Sequence, residues 1–218
     1  MEIYNNLITY KYTPERVLIE SNINDSVKNN LKIIGDKIQN QKGVYTVIIT
    51  LSIHKILNPY QDIRYHQREL KNGFSGRSVD TKYITPTLKK LNLTSMSESG
   101  WLTRSLEQPY PYTKDYNGKI SNKNVRNSFL EIIDFVQKSV DNSIIVVKYL
   151  LSESIKIRES HHIILEPLKN PERISIDNII LSLDDLFNNN YKTSGGSKLP
   201  VITYYTIYQL LTSEMGRY

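Results

Sequence analysis

The 218-residue sequence contains no cysteine, and this absence removes several classes of site at once. Zinc fingers, iron–sulfur clusters, thiol nucleophiles and disulfide scaffolds all depend on cysteine, so none of them is expected. A chain of this length buries enough apolar surface to fold without such links. The sequence is therefore expected to form a single domain, residues 1–218, around one hydrophobic core.

Long apolar runs are also missing. The runs at 44–49 and 144–147 are interrupted by polar residues within a few positions, whereas a membrane-spanning helix needs ~20 apolar residues. The first residues carry charges early and lack the apolar stretch of a signal peptide. These features predict a cytoplasmic protein without a membrane partner.

Positive charge is present in modest excess, and it is concentrated in the middle of the chain. The net charge is +6, from 28 basic and 22 acidic residues. Residues 60–126 hold twelve of the basic and six of the acidic residues, so the rest of the chain is neutral. A local excess of this kind favours an acidic partner.

Apolar residues at helical spacing predict helices at both ends of the sequence. Val27, Leu31, Ile34 and Ile38 recur every three or four residues, and Gly43 is expected to end their helix. The predicted helices start at Thr13-Pro14, cover 24–41, 44–57 and 124–136, run from an Asp141 or Asn142 cap to 155, and start again at 175 and Pro200.

The middle of the chain, about 60–122, has a different composition. It is rich in glycine, serine, threonine, tyrosine and arginine and has only short apolar groups. Short helices and turns packed on the helical body are expected there, because long structureless loops are unusual in compact domains. The predicted fold is mainly α: a helical bundle, about 1–59 and 123–218, that carries an irregular, basic, Gly/Ser/Tyr-rich insert.

This insert has the residue types that a DNA-reading surface needs. Arginine and lysine contact phosphates or guanine edges, hydroxyl and amide side chains add hydrogen bonds, and aromatic rings stack or wedge. The candidate DNA-binding residues are Arg64, Arg68, Ser75, Arg77, Thr81, Lys82, Trp101, Arg104, Gln108, Tyr110 and Tyr112.

Two other functions remain open on composition and spacing. Asp62, followed by Asp80 and Lys82 as Asp-Thr-Lys, matches the carboxylate and lysine pattern of magnesium-dependent nucleases, so the chain could itself be the nuclease. Alternatively, the tyrosine-rich insert could bind an acidic protein and carry no enzymatic activity. No residues of the chain are predicted to form another metal site.

Two long strings in the insert carry a more specific signal. NGFSGRSVDTKYITP at 72–86 and ESGWLTRSLEQPYPY at 98–112 resemble a family of bacterial type II restriction endonucleases encoded beside cytosine-C5 DNA methyltransferases. The resemblance continues through YNGKI at 116–120 and the helix around Phe129 to Leu199-Pro200 and the last helix. It matches the N-terminal half of that family.

The resemblance implies that recognition and cleavage of DNA belong to different domains. In that family a separate domain of the PD-(D/E)xK type follows and carries the magnesium-binding acids, and nothing in these 218 residues corresponds to it. The chain is therefore expected to recognise a sequence in double-stranded DNA without cutting, and to need no cofactor itself. Magnesium would serve the intact endonuclease.

The apolar surface of the last helix is expected to be buried against other residues. Val201, Ile202, Tyr204, Tyr205 and Tyr208 make it apolar nearly all round, so it is either the central helix of the domain or a contact surface for another protein. A C-terminal catalytic domain or a partner subunit is the expected contact. A homodimer is a further expectation, because palindromic sites favour two-fold symmetry.

Overall fold

A computed structural model gives the fold. It describes residues 1–97, 101, 110–118, 120–160, 177, 180, 181, 183, 184 and 199–216. The described residues are mainly helical and include no β-strand, which confirms the predicted class. The chain forms two compact units, Met1–Arg158 and Glu159–Tyr218. No helix in the described part of the chain is long and apolar enough to cross a membrane.

The first unit is built from long helices around a central one. Its helices before the predicted insert are α1 (Glu2–Thr9), α2 (Pro14–Glu20), α3 (Asp25–Asp36) and α4 (Lys42–Leu57). Every side chain of 44–52 on α4 is buried, and α4 and α3 both pack on α7 (Lys123–Lys138). The sequence is apolar on all sides of α4, so this helix must be covered on all sides.

Caps explain where several of these helices begin. The Thr13 side chain accepts a hydrogen bond from the amide of Arg16 at 3.2 Å, and the Asn24 side chain accepts one from Val27 at 2.9 Å. Thr13 and Pro14 therefore start α2 as predicted. Asn122 caps α7 in the same way, through the amide of Val125 at 3.1 Å.

Two predicted boundaries are wrong. The helix expected over 24–41 ends at Asp36, and Gly43 lies inside the first turn of α4 instead of ending α3. The helix expected to start at Asp141 or Asn142 is α8 (Val140–Ser160), and its cap is Ser139, whose hydroxyl accepts from the amide of Asn142 at 3.1 Å. The hydroxyl of Ser139 sets the start of α8, whereas no side-chain hydrogen bond caps α4, and spacing alone locates neither start.

The middle segment is more helical than its composition predicts. Residues 76–90 form one continuous run of α5 (Gly76–Val79), a π-helical turn (Asp80–Ile84) and α6 (Thr85–Lys90), named here the composite helix. An irregular insert over the whole of 60–122 stays a prediction, since parts of it lie outside the described residues.

In the second unit the described helix is α9 (Leu199–Met215). Its apolar side chains are exposed, including Val201, Tyr204, Tyr208, Leu211 and Met215. The central helix of the first unit is α4. A contact surface for another protein on the last helix stays a prediction. Of the predicted helix from 175, the structure describes residues 177, 180, 181, 183 and 184, and all five are helical.

Candidate nucleic-acid interface

A capping side chain starts the composite helix, and a proline follows its π-helical turn. The Ser75 hydroxyl accepts a hydrogen bond from the amide of Ser78 at 3.2 Å, so this predicted DNA-binding residue has a structural role. Pro86 lacks an N–H, and in a regular α-helix its ring would collide with the carbonyl of Lys82. The π-turn directly before it, in which the amide of Thr85 bonds to the carbonyl of Asp80, accommodates the proline.

Asp80 fixes the inner face of the composite helix. Its side chain is 1% exposed, and its Oδ1 accepts a hydrogen bond from the hydroxyl of Thr85 at 2.8 Å. The hydroxyl of Thr50 lies 3.4 Å from the same oxygen and shares its hydrogen with the carbonyl of Thr46 at 2.8 Å. Burial raises the pKa of Asp80, while the threonine hydrogen bonds oppose that shift. Because Thr50 belongs to the buried helix α4, this contact ties the composite helix to the core.

The outer face of the composite helix is polar and basic. The only acid among residues 76–90, Asp80, points inward, so the composite helix itself contributes no carboxylate to this face. The side chains exposed on it are Arg77, Ser78, Thr81, Lys82, Tyr83, Pro86, Lys89 and Lys90. The ammonium group of Lys82 lies 5.1 Å from the centre of the Tyr83 ring, which leaves the charge accessible to solvent.

A closed loop precedes the composite helix and presents two more cations. The amide of Phe74 donates a hydrogen bond to the carbonyl of Tyr65 at 3.0 Å, and the amide of Gly76 donates one to the carbonyl of His66 at 3.0 Å. These two bonds join the ends of loop 65–76. Arg68 and Lys71 are exposed on this loop. The loop therefore holds them beside the start of the composite helix.

An aromatic cluster supports the base of the loop. The His66 ring stacks on Tyr112 with a centroid distance of 3.7 Å, and Tyr112 meets Phe129 edge-on at 4.9 Å. Trp101 and Tyr112 are each only 1% exposed. Both had been predicted to stack on DNA bases, and the structure instead places their rings in the core, where no base can reach them.

His66 is buried as a neutral ring. Burial lowers its pKa to about 4, and the hydrogen bond between its Nε2 and the carbonyl of Tyr110, at 3.1 Å, opposes the shift. The unfolded chain has an ordinary histidine pKa near 6.5 and binds the proton more readily. The stability that His66 contributes is therefore complete above about pH 6.5 and is lost as the pH falls from there towards 4.

We expect acid to destabilise the protein partly through His66. Lowering the pH from 7 to 5 should reduce the free energy of unfolding by about 2 kcal/mol through this residue. His66→Phe keeps a ring against Tyr112 but cannot be protonated. The loss of unfolding free energy between pH 7 and pH 5, measured from denaturation curves, should therefore be about 2 kcal/mol smaller in this variant than in the wild-type chain. Equal pH dependence in the two proteins would mean that His66 is not the proton acceptor.

Arg64 is engaged in ion pairs. Its guanidinium contacts the Asp62 carboxylate, with an Nη2 to Oδ2 distance of 2.7 Å, and lies 3.7 Å from an oxygen of Asp134 on α7. The Arg64 side chain is about one-third exposed. The charge of Arg64 is thus already compensated, and any DNA contact would compete with two carboxylates.

The residues of the predicted nuclease pattern have separate partners. Asp62 is bound by Arg64, and the hydrogen bond from Arg64 helps to keep the pKa of Asp62 low despite burial. Asp80 is buried against Thr50 and Thr85, whereas Lys82 lies on the exposed face. Within the described part of the chain no three histidine, aspartate or glutamate side chains form a group that could hold a metal ion.

The remaining predicted residues are distributed as follows. Arg68, Arg77, Thr81 and Lys82 are exposed on the loop and the composite helix. Tyr110 is 53% exposed, and its backbone is tied to His66 at the base of the loop. Arg104 and Gln108 lie outside the described residues.

Sequence reasoning missed some members of this surface. Tyr83, Lys71 and Lys90 are exposed on the same helix and loop. A helical interpretation of residues 76–90 is the signal that would have placed Tyr83 beside Lys82 on the exposed face.

Comparison with known proteins gives no relative. No family model matches the sequence, no curated protein matches it, and no solved structure matches the fold.

Proposed function

We propose that this chain recognises a specific sequence in double-stranded DNA, as the specificity part of a type II restriction endonuclease. The strings at 72–86 and 98–112, which resemble that family, suggest the function. The exposed basic surface on loop 65–76 and the composite helix is the single structural observation that supports it most directly.

The charge pattern of this surface is suited to a polyanion. Between 68 and 90 the exposed cations include Arg68, Lys71, Arg77, Lys82 and Lys90, and the one exposed acid of this stretch is Glu69. Several cations of the helical body, in contrast, pair with carboxylates: Arg16 with Glu20, Lys138 with Asp134 and Lys156 with Glu15. Cations without nearby acids can neutralise phosphates and release their counterions.

The proposal places DNA cleavage outside the recognition surface. Cleavage by this class of enzyme needs carboxylates that hold magnesium near the scissile phosphate. Asp62 and Asp80 are occupied by Arg64 and by two threonines, which makes them poor candidates. A catalytic domain or partner subunit would bring the metal-binding acids.

Selection from a random duplex library tests the proposal. At about 150 mM salt, where weak electrostatic binding is largely screened, we expect the chain to enrich one short motif. The enriched duplexes should remain intact when magnesium is added. Lys37→Ala removes an exposed cation from the helical body, outside the proposed DNA-binding surface. This control variant should enrich the same motif.

Two other results would contradict the proposal. Specific cleavage in magnesium would place an active site in this chain, and Asp80→Ala would then show whether Asp80 takes part. Absence of any enriched motif would exclude sequence-specific recognition and favour a protein-interaction role for the same surface.

A further inference from the structure

We infer that the composite helix is the element that enters the major groove, with Arg77, Thr81 and Lys82 contacting base edges while Arg68, Lys71 and Lys90 hold phosphates. The inference rests on the proposed function and assigns the reading of bases and the binding of phosphates to different residues of one surface.

The composite helix has one face free for a ligand and the opposite face packed. The inward residues are Gly76, Asp80, Thr85 and Leu88, all buried. They recur at intervals of four, five and three residues, and the interval of five, from Asp80 to Thr85, spans the π-helical turn. Because of this extra residue in the turn, the inward positions before and after it lie on the same side of the helix. Arg77, Thr81 and Lys82 therefore lie on the outer side.

The size and chemistry of the outer face fit a DNA groove. Fifteen residues make a helix about 20 Å long, and the major groove of B-DNA admits an α-helix. Arginine and lysine pair with guanine edges, and a threonine hydroxyl can bond to several bases. Between Arg77 and Thr81 the fully exposed side chain is the small one of Ser78, while Val79 is half-buried and Asp80 is buried.

The cations around this face lie where phosphates would be. Arg68 and Lys71 are on the loop whose end is bonded to the start of the composite helix, through the amide of Gly76 and the carbonyl of His66. Lys90 is the last residue of the helix. Cations at both ends of a helix can contact the phosphates that border a groove, because these lie on either side of the bases.

The helix is also rigidly supported, as base reading requires. Ser75 caps its start, Asp80 bonds to Thr50 of α4 in its middle, and the carbonyl of Leu91 just after it accepts a hydrogen bond from Arg158 at 3.1 Å. Side chains that project from a fixed backbone pay little ordering entropy on binding.

Two sets of single substitutions separate the two kinds of contact. Arg77→Ala, Thr81→Val and Lys82→Ala should change the preferred base at one or two positions of the selected motif, lowering discrimination there by roughly 10- to 100-fold. Lys71→Ala and Lys90→Ala should weaken binding to all sequences alike and reduce the slope of log affinity against log salt by about one. Lys37→Ala should change neither quantity.

The outcomes distinguish this inference from the proposed function. If the wild-type chain selects a motif but all five substitutions weaken every sequence equally, the composite helix does not read bases and the inference is overturned while the function stands. If the wild-type chain selects no motif, the function itself fails. Thermal unfolding of each variant would verify folding, and because these side chains are exposed we expect no large change.

Discussion

The double variant Arg77→Glu/Lys82→Glu is expected to bind DNA about 1000-fold more weakly than the wild-type chain at 150 mM salt. Two cations assigned to base edges are lost, and two carboxylates are introduced where the phosphates on either side of the groove repel them. Both side chains are exposed on the outer face of the composite helix, so the fold should be unaffected. Fluorescence anisotropy with the selected duplex, over a range of salt concentrations, would measure the loss.

The matched control changes the same charge elsewhere. Lys37 and Lys42 are exposed on the helical body, at the end of α3 and the start of α4. Lys37→Glu/Lys42→Glu lowers the net charge equally, so it should cost only a small fraction of the affinity. Similar losses in both double variants would mean that binding follows net charge and that the composite helix is not the contact surface.

Replacing Gly73 with alanine is expected to lower the free energy of unfolding by about 3 kcal/mol, the upper part of the range for overpacked sites. A Cβ at this position would overlap the carbonyl oxygen of Gln67 and come within 2.9 Å of that of Leu70. Both obstacles are backbone atoms of loop 65–76, so they cannot move aside without opening the loop. Chemical denaturation would measure the change.

Lys71→Ala provides the comparison for Gly73→Ala, because it removes an exposed side chain from the same loop. Its free energy of unfolding should stay within about 0.5 kcal/mol of the wild-type value. If Gly73→Ala were as stable as Lys71→Ala, loop 65–76 would not need the close backbone approach seen at Gly73. The loop would then be a weaker support for Arg68 than the structure indicates.

The helical body could be predicted well from local patterns. Val27, Leu31 and Ile34 on α3, and Val125, Phe129 and Ile132 on α7, lie at the spacing of one helix face, and a helix with such a stripe must bury it. The caps at Thr13 and Asn24 are equally local, since each bonds to an amide three residues ahead. The concentration of charge in the middle of the chain follows from counting residues.

The candidate site was less predictable, because composition does not tell which way a side chain points. Trp101 and Tyr112 have the right chemistry for stacking on bases, but they pack against Gly76 and Phe129 in the core. Asp80 matched a metal-binding pattern, but it faces Thr50, thirty residues earlier in the sequence. No periodicity in this segment distinguishes an inward position from an outward one.

The sequence by itself determined the helical class, most of the long helices and the location of the basic segment, because each depends on residues within a few turns of one another. Only the tertiary structure decided which members of that segment are exposed. Asp80 is buried beside Thr50, and Arg64, which is paired locally with Asp62, also lies 3.7 Å from an oxygen of Asp134, seventy residues away. Contacts between residues so far apart in the sequence form only when the helices pack, so they leave Arg68, Arg77 and Lys82 on the surface and remove Trp101 and Tyr112 from it.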